Sequence, residues 1–326
     1  MPTRLTFKKL GLIFDLDAPE VRSSKFLFSQ SPQAIELDDR VRVYFCSRKQ
    51  DNNNTFKSYA YFAEFTKDLT ACLGVSSKPV VELGGLGTFD EHGIFPFSPM
   101  YHDNVWTAYT CGWSRRESVS VETAIGYATS QDSGLTFEKL GPGPIVAASL
   151  REPYLVGDAF VRYFEGQYHM WYMFGTNWQY YDNIKTPERT YKIGHSTSPD
   201  GIHWEGHDGT SIIPDKLNEN ESIALPSVMY FNGKYHMCFC YRESNDFRAG
   251  GDRGYKIGYA HSKDLTTWQR DDDLLQFDCN DQSSHWDNNM QCYPNFCIID
   301  GVPHLFYNGN EFGKYGFGVA KLILSH

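Results

Sequence analysis

One unit of sequence recurs along the chain, and it constrains the fold more than any single residue does. It reads Leu225-Pro226-Ser227-Val228-Met229-Tyr230-Phe231-Asn232-Gly233-Lys234-Tyr235-His236-Met237-Cys238-Phe239, which is an apolar strand, an Asn-Gly turn and a second strand. Asn and Gly tolerate the positive φ that a two-residue hairpin turn demands, so the pattern predicts a β-hairpin. A second copy runs from Asp158 to Tyr172 around Glu165-Gly166, and another from Tyr293 through Asp300-Gly301 to Tyr307. Weaker copies begin at Ser31-Pro32, with the turn at Asp38-Asp39, and at Phe95-Pro96, with the turn at Asp103-Asn104. Anchored on Pro32, Pro96, Ala159, Pro226 and Pro294, the copies are spaced by 64, 63, 67 and 68 residues. Five such copies fill the chain and predict a single domain over residues 1-326, with no room for a second.

A third strand follows each hairpin: Thr123-Ala124-Ile125-Gly126, Tyr191-Lys192-Ile193-Gly194, Tyr255-Lys256-Ile257-Gly258 and Tyr315-Gly316-Phe317-Gly318. A turn and an outer strand are expected next, over Ser198 to Trp204 and over Ser262 to Trp268. Four antiparallel strands per unit, repeated radially, predict an all-β five-bladed β-propeller. An open β-sandwich of short strands is the competing architecture. The last repeat stops at His326, directly after its third strand. Leu5-Thr6-Phe7-Lys8-Lys9-Leu10 nearly duplicates Leu135-Thr136-Phe137-Glu138-Lys139-Leu140, so the N-terminal strand is expected to close the last blade. Closure removes an exposed sheet edge, which is the physical reason to favour it. The 21 Tyr, 23 Phe and 7 Trp suit half-buried pleated surfaces and argue against a helical bundle.

Thirty Lys plus Arg against 40 Asp plus Glu give a formal charge of −10. That balance repels nucleic acid and anionic membranes, so neither is an expected partner, and a small-molecule or glycan substrate fits better. Met1 to Lys9 lacks the apolar core of a secretory signal, and no apolar run is long enough to span a membrane. The cytoplasm is the expected compartment. The eight cysteines include several inside apolar runs, as at Cys238 and Cys240, and are expected to be buried and reduced. No CxxC pair occurs, and His92, His195 and His261 share no metal-ligand spacing. Neither a metal nor a cofactor is expected. The oligomeric state is not legible.

A site is expected where inner strands and crossover loops converge on a central channel. The residue before each anchor is Ser31, Phe95, Asp158, Leu225 or Tyr293, and of these five only Asp158 is an acid. The crossover loops add Glu91 and His92, Arg151 and Glu152, Glu221, and Asp287. The loops after the second strands add Trp113 and Arg115, Asn177 and Trp178, Arg242 and Glu243, and Asn308 through Asn310 to Glu311. Carboxylates, Arg, Asn and Trp around one pocket suit a sugar, because flat rings stack on pyranose faces while Asn and Arg bind hydroxyls or an anionic substituent. The assignment is Asp158, Glu221, Glu91 and Glu152 for catalysis. His92, Arg151, Trp113, Trp178, Arg242, Asp287, Asn308 and Asn310 are assigned to substrate binding. Each acid also has a simpler role as a hydrogen-bond partner of neighbouring backbone, and Lys192 and Lys256 are expected to tie one blade to the next.

The turn Ser198-Pro199-Asp200-Gly201-Ile202-His203-Trp204, the strand Gly166 to Tyr172 and Tyr307-Asn308-Gly309-Asn310 resemble five-bladed β-propeller glycoside hydrolases, chiefly families 43, 32 and 130. The resemblance covers the whole chain through its repeats, and it identifies a fold better than a reaction. Family 43 implies an acid-tuning Asp at position 158, where Ala159 replaces the usual Pro. The family's general base would fall on Ser31 and its general acid on Ala224, so two of three catalytic carboxylates are absent from those positions. Glycoside hydrolysis ordinarily needs two carboxyl groups flanking the bond, roughly 5 to 10 Å apart. The resemblance therefore implies a carbohydrate-active, glycoside hydrolase-like enzyme with Glu221 as substitute acid and Glu91 or Glu152 as base. The alternative is a non-hydrolytic propeller that binds glycans or performs phosphorolytic or other sugar chemistry, with Arg151, Arg242 and His92 as a cationic pocket.

Overall fold

The computed structural model describes residues 4–22, 24–51, 54–182, 185–248, 253–278 and 286–324. Cys279 and Met1 to Thr3 lie outside these residues. The described chain is all-β with two single-turn helices, α1 (Pro19–Arg22) and α2 (Asn310–Gly313), and a 3-10 turn over Asp272–Leu274.

The chain opens with β1 (Leu5–Asp15) and then builds five hairpin-led units. The first comprises β2 (Gln30–Glu36), β3 (Arg40–Gln50), β4 (Phe56–Thr66) and β5 (Cys72–Val75). The second comprises β6 (Gly93–His102), β7 (Val105–Arg115), β8 (Val121–Ser130) and β9 (Glu138–Lys139). The third has β10 (Val156–Phe164), β11 (Gln167–Gln179) and β12 (Glu188–Ser198). The fourth has β13 (Glu221–Phe231), β14 (Lys234–Glu243), β15 (Lys256–Ser262) and β16 (Gln269–Arg270). After β17 (Leu275–Asp278) come β18 (Cys292–Ile299), β19 (Val302–Asn308) and β20 (Gly316–Leu322). The first two units join into one sheet through a single parallel pair, Ser58 with Gly93. The first strands touch in cyclic order, β2, β6, β10, β13 and β18, and β18 returns to β2.

The outer strands differ from expectation. Ser198 to Trp204 and Ser262 to Trp268 are turns, and pairing resumes only after them, as the bridge Thr197 with Glu205 and as the two residues of β16. The cause is local. The Ser198 hydroxyl accepts the Asp200 and Gly201 amides, and the Asp200 carboxylate accepts those of Ile202 and His203. Ser262 and Asp264 repeat the arrangement, with Thr266 and Thr267 as donors. Side chains thus take the amides an outer strand would need. Trp204 and Trp268 donate their indole N–H to Gly201 and Leu265, so the repeated Ser-x-Asp motif is a turn device.

β1 pairs antiparallel with β20, from Phe7 opposite Leu322 to Asp15 opposite Gly316, and parallel with β17. The last unit therefore takes its missing strand from the other end of the chain. Phe14 stacks on Phe317 at 4.9 Å, and Phe7 is fully buried with Leu275, Phe296 and Leu305. Fully burying one such ring contributes about 2–3 kcal/mol. Between the last unit and the first, Asn295 accepts the Ala34 amide and donates to Gln33, and between the fourth unit and the last Ser227 accepts the Phe296 amide. Lys192 donates to Asp215 and to the Glu221 carbonyl, tying the third unit to the fourth as expected, whereas Lys256 is exposed. Cys46, Cys111, Cys238, Cys240, Cys292 and Cys297 are buried free thiols.

Candidate functional site

Every first strand carries the same defect. The pairing register slips between Gln30 and Gln33, Ile94 and Phe97, Gly157 and Phe160, Ala224 and Ser227, and Cys292 and Asn295. Each slip is a β-bulge, which re-aims the side chain it contains. Ser31, Asp158, Leu225 and Tyr293 occupy it at φ between 51° and 57°, a region non-glycine residues seldom adopt. Phe95, Asp158, Leu225 and Tyr293 all face one cavity of about 640 Å³. In the first unit Gln30 faces the cavity instead, and the Ser31 amide donates to Asn308 Oδ1 at 2.8 Å.

The third strands supply the rest of the wall through alternate residues, Ser58, Thr123, Arg189 and Tyr191, with Tyr255 just before β15. Trp113 lies against the cavity with its indole N–H donated to Ser58 Oγ at 2.6 Å. Gly93 permits this approach, because a Cβ there would fall 2.2 Å from Ser58 Oγ and 2.4 Å from the Trp113 ring nitrogen. The Tyr191 and Tyr255 hydroxyls hydrogen-bond each other. Phe28, Phe56 and Phe312 add further rings, so the wall is largely aromatic, with polar groups set into it.

Asp158 is the lining carboxylate that burial perturbs upward. Burial pushes its carboxyl up to about 7, against the opposing pull of the Arg189 charge and a hydrogen bond donated by the Cys111 thiol. Near neutral pH it is therefore divided between acid and carboxylate. Glu311 is the other carboxylate lining the cavity among the described residues. Lys314 and the Tyr315 hydroxyl both donate to it, which holds its carboxyl below the usual range. Arg48, Lys57, Arg189 and Arg248 are the lining cations. No cluster of three metal-ligating side chains occurs among the described residues.

Of the twelve residues singled out from sequence, Asp158 and Trp113 reach this cavity. His92 stacks behind Trp113 at 5.8 Å, and Glu91 sits 3.3 Å from His92 while accepting the Gly87 amide. Trp178 lies under the Arg189 guanidinium at 5.6 Å, outside the lining. Arg242 is fully buried behind the wall, 3.5 Å above the Phe247 ring and donating to the Tyr191 hydroxyl. Glu221 is turned away altogether. It pairs with Arg270 at 2.9 Å and accepts the Lys216 and Leu217 amides, and its neighbour Ala224 is buried in packing. Glu152 is buried against the Tyr172 hydroxyl and the Gly209 amide, and Arg151 is exposed beside it. Asp287 receives the Tyr307 hydroxyl and Lys9. Asn308 bridges Ser31, Ser29 and Gly316, and Asn310 accepts the Asn289 and Met290 amides. These last seven form a structural framework and do not gather around the cavity.

Sequence reasoning missed Arg48, Lys57, Arg189, Tyr191, Tyr255 and Arg248, and it placed Glu311 at a loop mouth without giving it a role. Arg48 was within reach: it lies as far after Pro32 as Arg242 lies after Pro226, so the repeat places both at one register. Tyr191 and Tyr255 open the third-strand repeats but were absorbed there as packing. Nothing in the repeat signals Arg248, which belongs to an irregular connection, whereas Glu311 follows Asn310 in the loop after the last unit's second strand.

No family model matches this sequence. The fold is shared with solved glycoside hydrolases. One structure described as a glycoside hydrolase superposes with a TM-score of 0.71 at 16% identity, covering 98% of this protein and 93% of that one. BT0996, in its RGII complex, gives 0.69 at 16% identity over 97% and 92%. The β-1,2-mannobiose phosphorylase of Listeria innocua, in complex with β-1,2-mannobiose, gives 0.61 at 12% over 94% and 93%. By sequence, the protein is similar to uncharacterized proteins of two Mycobacterium tuberculosis strains, CDC 1551 / Oshkosh and H37Rv. Each is 29% identical over 328 residues, covering 98% of this protein and 99% of the relative.

Proposed function

We propose that residues 1-326 form one five-bladed β-propeller whose central cavity is the site of a carbohydrate-active enzyme. The cyclic contacts of the first strands and the contribution of all five to one cavity support the architecture. The observation that carries the function is Asp158, the one ionisable acid among five equivalent bulge positions, buried in an aromatic wall and titrating near neutrality. Its protonated form is the general acid that delivers a proton to the leaving oxygen of a glycosidic bond. Glu311, kept ionised by Lys314 and Tyr315, is the complementary carboxylate, and two acids in such different surroundings divide the acid and base roles. Trp113, Tyr191 and Tyr255 provide stacking surfaces for sugar rings. Shared fold with glycoside hydrolases and a mannobiose phosphorylase supports this reading of the cavity. Glu91, Glu152 and Glu221 have no place in it.

The test is mass spectrometry of an oligosaccharide panel, with and without inorganic phosphate, using wild type, Asp158→Asn and Glu311→Gln. Wild type is expected to convert at least one glycan, and each variant to lose roughly a hundredfold or more in turnover. Undiminished turnover by Asp158→Asn refutes the assignment. The second reading, glycan binding without cleavage, is favoured by one observation: both Glu311 oxygens already accept hydrogen bonds. Wild type that retains glycans without converting any supports it.

A further inference from the structure

The cavity carries charge against the sign of the whole protein. The protein has ten more acidic than basic residues, yet four cations and two carboxylates line this one space. Three of those cations have no carboxylate within ion-pairing distance among the described residues. Arg48 donates Nε to the Gln30 amide oxygen at 3.0 Å, Lys57 donates to the Glu91 carbonyl at 2.8 Å, and Arg189 donates to Ser120 Oγ at 3.1 Å. Arg248 alone is paired, with Glu188.

The guanidinium groups share one posture. Arg48 lies 4.7 Å over Phe28, Arg189 lies 5.6 Å over Trp178, and Arg248 lies 4.1 Å over Phe247. A guanidinium face covered by an aromatic ring keeps its N–H edges for a planar or tetrahedral oxyanion. Arg48 is held without an anionic partner in a half-buried place near Arg248, whose like charge repels it. Such a group gains from an incoming negative charge, because the cost of burying it is already met by the fold. The same wall is aromatic, so it matches a ligand with both an apolar ring face and a charged substituent better than a bare ion.

We infer that the cavity selects an anionic glycan, with a phosphate or carboxylate on the sugar itself held by Arg48, Lys57 and Arg189. This rests on the carbohydrate reading above and adds the substrate class to it.

The experiment is calorimetric titration of the full-length protein with matched sugars that differ only at one substituent: glucose, glucuronate and glucose 6-phosphate, with the corresponding mannose set. Inorganic phosphate alone is a further arm. Wild type is expected to bind at least one charged sugar about tenfold or more tightly than its neutral parent, with a preference that shrinks as salt rises. Arg48→Gln is expected to weaken the charged sugar by about ten- to a hundredfold, the range of a lost charge-assisted hydrogen bond, while leaving the neutral parent unchanged. Arg151→Gln, an exposed charge outside the cavity, is expected to change neither. If Arg48→Gln fails to fold, judged by circular dichroism, Lys57→Gln replaces it with the same expectation. The comparison between phosphate and carboxylate sugars identifies the anion. Equal affinity for charged and neutral sugars overturns the inference and leaves the carbohydrate reading standing. Inorganic phosphate binding as tightly as the sugar phosphate overturns it too, since the charge then need not be on the sugar. Binding of no sugar in either set overturns both.

Discussion

Replacing Asp158 by Asn removes a titration that the fold makes expensive, and the effect has a definite dependence on pH. The carboxyl titrates at about 7 in the folded protein, against an ordinary value of 3.8. Between those values the native state binds a proton that the unfolded chain has released, so stability falls as pH rises. The stabilising difference is complete below about pH 4 and gone above about pH 7. A displacement of roughly three pH units corresponds to about 4 kcal/mol. Asn is isosteric and does not ionise, so the variant lacks this loss. Its stability relative to wild type should therefore improve from pH 4 and level off above about pH 7, by about 3 kcal/mol over the accessible range from pH 5 to pH 8. Urea unfolding followed by intrinsic fluorescence at pH 5, 6, 7 and 8 measures this directly, because midpoints and slopes of both proteins are compared at each pH. A constant difference between the two proteins across that range would refute the argument that burial protonates Asp158. A difference that shrinks with rising pH would reverse its sign.

Three further outcomes follow from the framework around the cavity. Glu221→Gln removes the charge that pairs with Arg270 and should lower stability by about 2 kcal/mol in thermal or urea unfolding. Turnover per folded molecule should stay unchanged, and a selective loss of turnover would return Glu221 to the site. Asn308→Ala strands the Ser31 amide and the Ser29 and Gly316 carbonyls in a buried place and should cost about 2–3 kcal/mol, measured in the same way. Gly316→Ala places a Cβ 1.8 Å from the Phe14 carbonyl oxygen at a φ of 134°, so β1 must lift from β20. Hydrogen exchange of the Phe7 to Asp15 amides should accelerate in that variant, and unaltered protection would show that β1 is held by other contacts.

The repeats made the strands legible because a hairpin is a local object, built from an Asn-Gly or Asp-Gly turn and alternating apolar positions. The strand that closes the last unit was legible for the same reason, as a duplicate of Leu135 to Leu140. The direction of a side chain within a bulged strand was not. Glu221 stands four residues before the Leu225 bulge, and a slip of one residue decides between the cavity and the outside. Asp158 was found because it occupies the bulge itself. Glu152, Asp287 and Asn308 have the composition of a sugar site and instead serve buried hydroxyls and amides, which residue type alone does not distinguish. Arg48 shows the converse case, a cavity residue at a legible register in the weakest copy of the repeat.

The pairing of β1 with β20 sets an order of events during synthesis. The four intervening units can form their hairpins as they leave the ribosome, since each depends on neighbours already made. Residues 5–15 have no such partner until residues 275–278 and then 316–322 appear, so the first strand must wait exposed while the intervening units are made. Phe7, Leu12 and Phe14 are then an apolar segment in search of an edge, which is the condition that recruits chaperones or invites exchange between two copies of the protein. The fold also ends on its longest-range contact, so its slowest step and its most vulnerable seam are the same place.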